Sequence, residues 1–156
     1  MSKKLIGRIL TLCLLATFAA VFALAAPRTA AAAAGGGRAR KKIVLNKNFI
    51  LSVGQEASTA DGKLKIKFVS VAEDSRCPKG VNCIWAGNAR VMLQVGKTQG
   101  APVKLELNTN PREATNGAGG YGEYLIKLVE VAPYPVAGQT IKPGSYAVTL
   151  SVSKKS

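Results

Sequence analysis

The residues best equipped for chemistry sit in one stretch, Glu73-Asp74-Ser75-Arg76-Cys77-Pro78-Lys79-Gly80-Val81-Asn82-Cys83-Ile84-Trp85-Ala86-Gly87-Asn88. It holds two of the three cysteines and the only tryptophan of the chain. Asp74 and Arg76 are close enough to present a carboxylate and a bidentate guanidinium to a ligand. The same two groups would equally neutralise each other and satisfy the loop's own amides, and that structural role is the preferred expectation. Trp85 would serve as an exposed aromatic anchor, or would pack against a neighbouring disulfide as in sandwich cores; packing is preferred. With Lys79 and Asn88, these residues form the candidate binding set. Glu73 and Asp74 do not make a hydrolytic carboxylate pair, because adjacent strand residues point to opposite faces.

Catalytic chemistry is otherwise thinly provided. The chain contains no histidine, which removes Ser-His and Cys-His nucleophiles and imidazole metal ligands. Gly117-Ala118-Gly119-Gly120 has no helix after it to cradle a phosphate and reads as a flexible tip. No Asp-x-Asp spacing supports calcium binding by Asp61, Glu73 or Asp74. The expectation is a protein without cofactor or metal and not an enzyme; carboxylate or metal chemistry is the minor alternative.

These residues need a compartment and a scaffold. Lys3, Lys4 and Arg8 precede an uncharged run over residues 9–26 that ends in Ala23-Leu24-Ala25. Positive n-region, apolar h-region and small residues at −3 and −1 predict a signal peptide over 1–25. An uncleaved membrane anchor is the alternative, since the run is near the minimum spanning length. Removal of the peptide takes Cys13 with it and leaves Cys77 and Cys83, which predicts one disulfide in a periplasmic or extracellular protein.

Residues 26–42 read as a flexible Ala- and Gly-rich linker ending in Arg38-Ala39-Arg40-Lys41-Lys42. Of 22 basic residues, 3 lie in the n-region and 5 in this linker, so residues 43–156 carry 14 against 8 acids, a net of +6. Arg38, Arg40, Lys41 and Lys42 would support weak electrostatic contact with anionic surfaces. Lys63, Lys65 and Lys67 form a basic ridge without interleaved aromatics. The ridge therefore predicts no specific nucleic-acid binding, and reads instead as protection of an outer strand.

Residues 43–156 alternate with period two. Phe49/Leu51/Val53, Leu64/Ile66/Phe68, Val91/Leu93/Val95, Val103/Leu105/Leu107 and Tyr146/Val148/Leu150/Val152 each predict a strand with one buried face. Residues 124–131 lose strict alternation, which predicts a bulge or burial on both faces. Residues 43–45 would add a short edge strand. Gly/Pro/Asn turns separate these runs, so the fold expected is all-β: a small antiparallel immunoglobulin-like sandwich of about six to eight strands. Pro143-Gly144-Ser145-Tyr146 resembles the tyrosine-corner motif of such sandwiches.

The run Asp74-Ser75-Arg76-Cys77-Pro78, then Cys83, Trp85-Ala86-Gly87 and Ala89-Arg90-Val91, resembles the core of an uncharacterised family of small bacterial secreted proteins and lipoproteins. Val53-Gly54-Gln55 extends the likeness. The resemblance implies export and an all-β fold; with no activity assigned to the family, it transfers no site. The chain departs from the lipoprotein members in having no lipobox.

Two functional expectations follow. The first is an exported, non-catalytic binding or inhibitor-type module that recognises an unknown protein or envelope polymer through the Cys77–Cys83 loop and the long loop over 108–120. The second is a structural protein held to anionic envelope material by its basic linker, with membrane contact if the signal segment stays in place. Closing so short a loop restricts the unfolded chain by roughly 2–2.5 kcal/mol. Replacing Cys77 and Cys83 together by serine is therefore expected to lower the unfolding free energy by about 2 kcal/mol in urea titrations.

Overall fold

Strands with one apolar and one polar edge must bury the apolar edge against a second sheet. The computed structural model, which describes residues 40–110 and 117–155, has two such sheets. The elements in chain order are β1 (Lys41–Lys42), β2 (Asn48–Ser52), β3 (Glu56–Ser58), β4 (Lys65–Asp74), β5 (Ala89–Gly96), β6 (Val103–Asn108), β7 (Ala118–Tyr121), β8 (Tyr124–Ala132), a 3-10 turn (Pro143–Ser145) and β9 (Ala147–Lys154). One sheet runs β1-β3-β4-β5-β6 and the other β2-β9-β8-β7. The expected small β-sandwich is therefore the fold, and its described strands lie within the unit Gly37–Ser156.

Alternation placed most of the core, with Val103 on β6 the exception, since it is exposed. Leu64, Ile66, Phe68, Val91, Leu93, Val95 and Leu107 from one sheet meet Leu51, Ile126, Val148, Leu150 and Val152 from the other, all essentially sealed from water. Each such side chain contributes roughly 1.5–3 kcal/mol of burial. The lost alternation in β8 is a bulge: its register against β9 shifts between Leu128 and Glu130. Burial on both faces does not occur there, since Leu125 and Val129 face solvent.

Several details differ from the sequence expectation. Lys41 and Lys42 pair in parallel with Ala57 and Ser58 rather than belonging to a linker, so strand pairing includes residues before 43. Ile43 follows as a core residue, not as an edge strand. Lys65 and Lys67 of the lysine ridge lie on β4, an interior strand between β3 and β5, and Lys63 in the turn before it, so the ridge does not guard an edge. The lysines at that sheet's edges are Lys41 and Lys42 on β1 and Lys104 on β6.

The glycine tip is strand β7, with Gly119 opposite Ile126. A Cβ on Gly119 would come within 2.6 Å of a Leu105 methyl, so this strand packs on the facing sheet by lacking a side chain. Strand-to-strand order is also simpler than in an immunoglobulin domain. Apart from β2 beside β9 and β1 beside β3, neighbours in each sheet are consecutive in sequence, a meander and not a Greek key. The predicted signal peptide, residues 26–39 with Arg38, and residues 111–116 of the long loop lie outside the described residues.

The β4–β5 connection is drawn tight at its base. Ser75 N–H donates to the Asn88 carbonyl (2.7 Å) and Cys77 N–H to the Ala86 carbonyl (3.1 Å). Between them Gly87 adopts φ +71°, and a Cβ there would fall 1.8 Å from the Ser75 carbonyl oxygen. Gly87→Ala is expected to cost more than about 2 kcal/mol, combining left-handed strain with displacement of that carbonyl. The thermal midpoint of the variant checks this.

Candidate functional site

The end of the sandwich that carries the β4–β5 connection is organised by one buried ion pair. Arg76 Nε donates to Asp74 Oδ1 (2.8 Å) and Nη2 to Asp74 Oδ2 (2.6 Å), the two-pronged geometry of the strongest carboxylate contacts. Both side chains are sealed, at 7% and 8% exposure, so the pair is not on an exposed loop surface. The remaining guanidinium donors cross to the other sheet, Nη1 to the Val131 carbonyl (2.6 Å) and Nη2 to the Pro133 carbonyl (2.9 Å). Tyr146 donates its hydroxyl to Asp74 Oδ2 (3.0 Å). This is not the tyrosine-corner bond, in which the hydroxyl returns to backbone nearby in sequence. It is a third tie between the sheets.

The other candidate residues divide between the loop's base and its tip. Asn88 belongs to the base: its side-chain Nδ2 donates to Asn108 Oδ1 (2.8 Å), and its side-chain Oδ1 accepts from Thr109 Oγ1 (3.2 Å) and the Asn110 amide (3.1 Å). Lys79 forms a parallel bridge with Val136, its N–H donating to the Pro135 carbonyl (2.9 Å) while its carbonyl accepts from the Ala137 amide (3.2 Å). The Tyr134 ring lies near both cations, 5.1 Å from the Arg76 guanidinium and 5.7 Å from Lys79 Nζ. Glu73 points away from Asp74, with its carboxylate 3.8 Å from Arg90.

The disulfide joins Cys77 and Cys83, whose Cα atoms stand 5.9 Å apart. A disulfide persists in oxidising surroundings, those an exported protein meets. Among the described residues no helix is long and apolar enough to cross a membrane. Trp85 does not pack against the disulfide. It is 73% exposed, beside Ile84 at 90% and near Val81 at 50%.

Sequence reasoning picked out Trp85 but missed Ile84 and Tyr134. The available signal was two adjacent large apolar side chains outside any alternating strand. Among the described residues, no three His, Cys, Asp or Glu side chains come together to hold a metal. The arrangement is thus a base of hydrogen-bonded polar groups beside exposed apolar side chains. Compared with protein-family models, curated proteins and solved structures, the chain matches none.

Asp74 titrates under opposing influences. Burial pushes its pKa up, but the hydrogen bonds and charge of Arg76 outweigh this, with Tyr146 adding to them, and hold it below the ordinary carboxylate value. A carboxyl with a lowered folded-state pKa contributes stability that is present in full above the unfolded value, about 4, and is lost as pH falls through the folded value. Asp74→Asn is expected to cost about 3 kcal/mol near neutral pH by leaving Arg76 without its anion. The gap between variant and wild type should narrow in urea titrations taken below about pH 4.

Proposed function

We propose that the chain is an exported, non-catalytic binding module that recognises a protein partner through the tip of the Cys77–Cys83 loop. One observation supports this above the others: Ile84 and Trp85 are adjacent and exposed, at 90% and 73%, directly after Cys83 on a connection held by the disulfide and by backbone hydrogen bonds at Ser75, Cys77 and Lys79. Large apolar side chains held in water carry an unrealised hydrophobic gain, and Trp is enriched among residues that dominate interface energies. A connection closed by a disulfide, laced between its own arms at Ser75 and Cys77 and bonded to the Pro135 segment at Lys79, loses little conformational freedom on binding.

Within this reading the candidate residues take different roles. Trp85 and Ile84 enter an apolar cleft of the partner, and Lys79 borders the contact. Asp74, Arg76 and Asn88 hold the loop in place and touch no ligand. The Asp-Ser-Arg-Cys-Pro and Trp-Ala-Gly segments supply the holding residues and the tip in one continuous run, which fits the resemblance to secreted bacterial proteins and a periplasmic or extracellular setting.

The test is affinity capture from envelope extract with the oxidised mature protein and with Trp85→Ala and Ile84→Ala, each first shown to keep the wild-type melting temperature. A partner captured by the wild type is expected to bind each variant at least about tenfold more weakly, the loss of a central aromatic or aliphatic anchor. Partners retained equally by both variants would end the proposal.

A further inference from the structure

The opposite end of the sandwich carries a cavity of about 750 Å³ that the loop reading leaves unused. Three turns build it: residues 59–64 between β3 and β4, residues 97–102 between β5 and β6, and Gly122 with Glu123 between β7 and β8. Its walls include Asp61, Lys63, Lys97, Gln99, Tyr121 and Glu123, with Tyr124 and Thr98 beside them. A volume of this size lies in the range of small-molecule sites.

The turns are fixed to one another and to the sheets. Thr98 N–H donates to the Gly62 carbonyl (3.0 Å), stitching the second turn to the first. Thr59 Oγ1 donates to Asp61 Oδ1 (2.6 Å), and the Lys63 amide donates to the same oxygen (3.1 Å). On the third turn, Glu123 accepts at its carbonyl from the Lys155 amide (2.8 Å), and its carboxylate lies 3.2 Å from Lys154 Nζ. The cavity is therefore preformed.

Its chemistry is selective. Asp61 and Glu123 offer carboxylate acceptors, while Lys63 and Lys97 offer ammonium donors, so the formal charges of these four lining groups cancel, with Lys154 paired to Glu123 at the edge. An anion would face two carboxylates and a cation two ammonium groups. An apolar ligand would use only the apolar part of the lining and leave these groups to solvent. A ligand that satisfies every group has many hydroxyls, no net charge and an apolar face to lay on an aromatic ring. The half-buried Tyr121 supplies such a ring, and Gln99 adds an amide that both donates and accepts. Burial, together with the carboxylates of Asp61 and Glu123, pushes the Tyr124 hydroxyl upward from its ordinary pKa, so it stays a neutral donor.

We propose that this cavity is a binding site for neutral saccharides, with Tyr121 as the stacking surface and Asp61, Glu123, Lys97 and Gln99 as hydroxyl partners. It is independent of the loop reading, since it lies at the other end of the sandwich and shares no residue with the tip. The two proposals therefore fail separately.

The experiment is amide chemical-shift titration of the isotope-labelled mature protein with cellobiose, maltose and N,N′-diacetylchitobiose. Glucuronic acid and inorganic phosphate serve as charged comparisons. At least one neutral disaccharide is expected to shift amides of residues 60–63, 97–99 and 121–124 in a saturating manner. Tyr121→Ala and Glu123→Gln should weaken that ligand by about tenfold or more, while the exposed Lys142→Ala, at the far end, should not change it. If Tyr121→Ala does not fold, Gln99→Ala on the exposed rim takes its place, with loss of affinity expected. No saturating shift from any of the three sugars would overturn the assignment. So would stronger binding of phosphate or glucuronate, or shifts centred outside these turns.

Discussion

A guanidinium taken out of water must find a partner for its charge and for its N–H donors, and Arg76 makes four such hydrogen bonds by spanning two sheets. Asp74, two residues earlier, supplies the charge; the carbonyls of Val131 and Pro133, from the end of β8, take donors from the far side. An ion pair of this kind adds little net stability over an apolar substitute, but it is costly to break. Its value lies in specificity, because only one docking of the two sheets satisfies both groups. The entire β4–β5 connection hangs from that point.

The strands were legible because one-sided burial writes a period of two into the chain. Lys65, Ile66, Lys67 and Phe68 show this on β4, where the apolar residues are sealed and the lysines only partly covered. Strand β7 was not legible. Ala118-Gly119-Gly120-Tyr121 has poor strand propensity, and its reason for being a strand is the space that Leu105 and Leu107 leave for a residue without a side chain. Such a constraint comes from the opposite sheet and leaves no local pattern. Lys41 and Lys42 were hidden likewise: two charged residues give no apolar signal, and their pairing depends on where β3 lies.

The candidate site was legible in part. The two cysteines left once Cys13 is set aside with residues 1–25 placed the disulfide, and the short separation of Asp74 and Arg76 suggested a pair. Whether the pair would face solvent or seal the sandwich depended on β8 and β9, remote in sequence. Trp85 went the other way, from an expected place beside the disulfide into solvent. The Cys77–Cys83 ring holds a compact loop outside the core, and no apolar surface reaches out to cover the indole. The three turns around the second cavity looked ordinary in sequence, because only sheet order brings them together at one end.

That sheet order has a kinetic consequence. Strands β3 to β6 pair with sequence neighbours, as do β7 to β9, so nearly all of the pairing closes short loops. The seam between β2 and β9 is different, since Leu51 must wait beside Val148 for a strand made about a hundred residues later. Until β9 emerges, β2 has no neighbour in its own sheet, and Leu51, sealed in the fold, has no partner strand to cover it. The last strand is thus the latch of the fold, and the chain gains full cooperativity only once it closes.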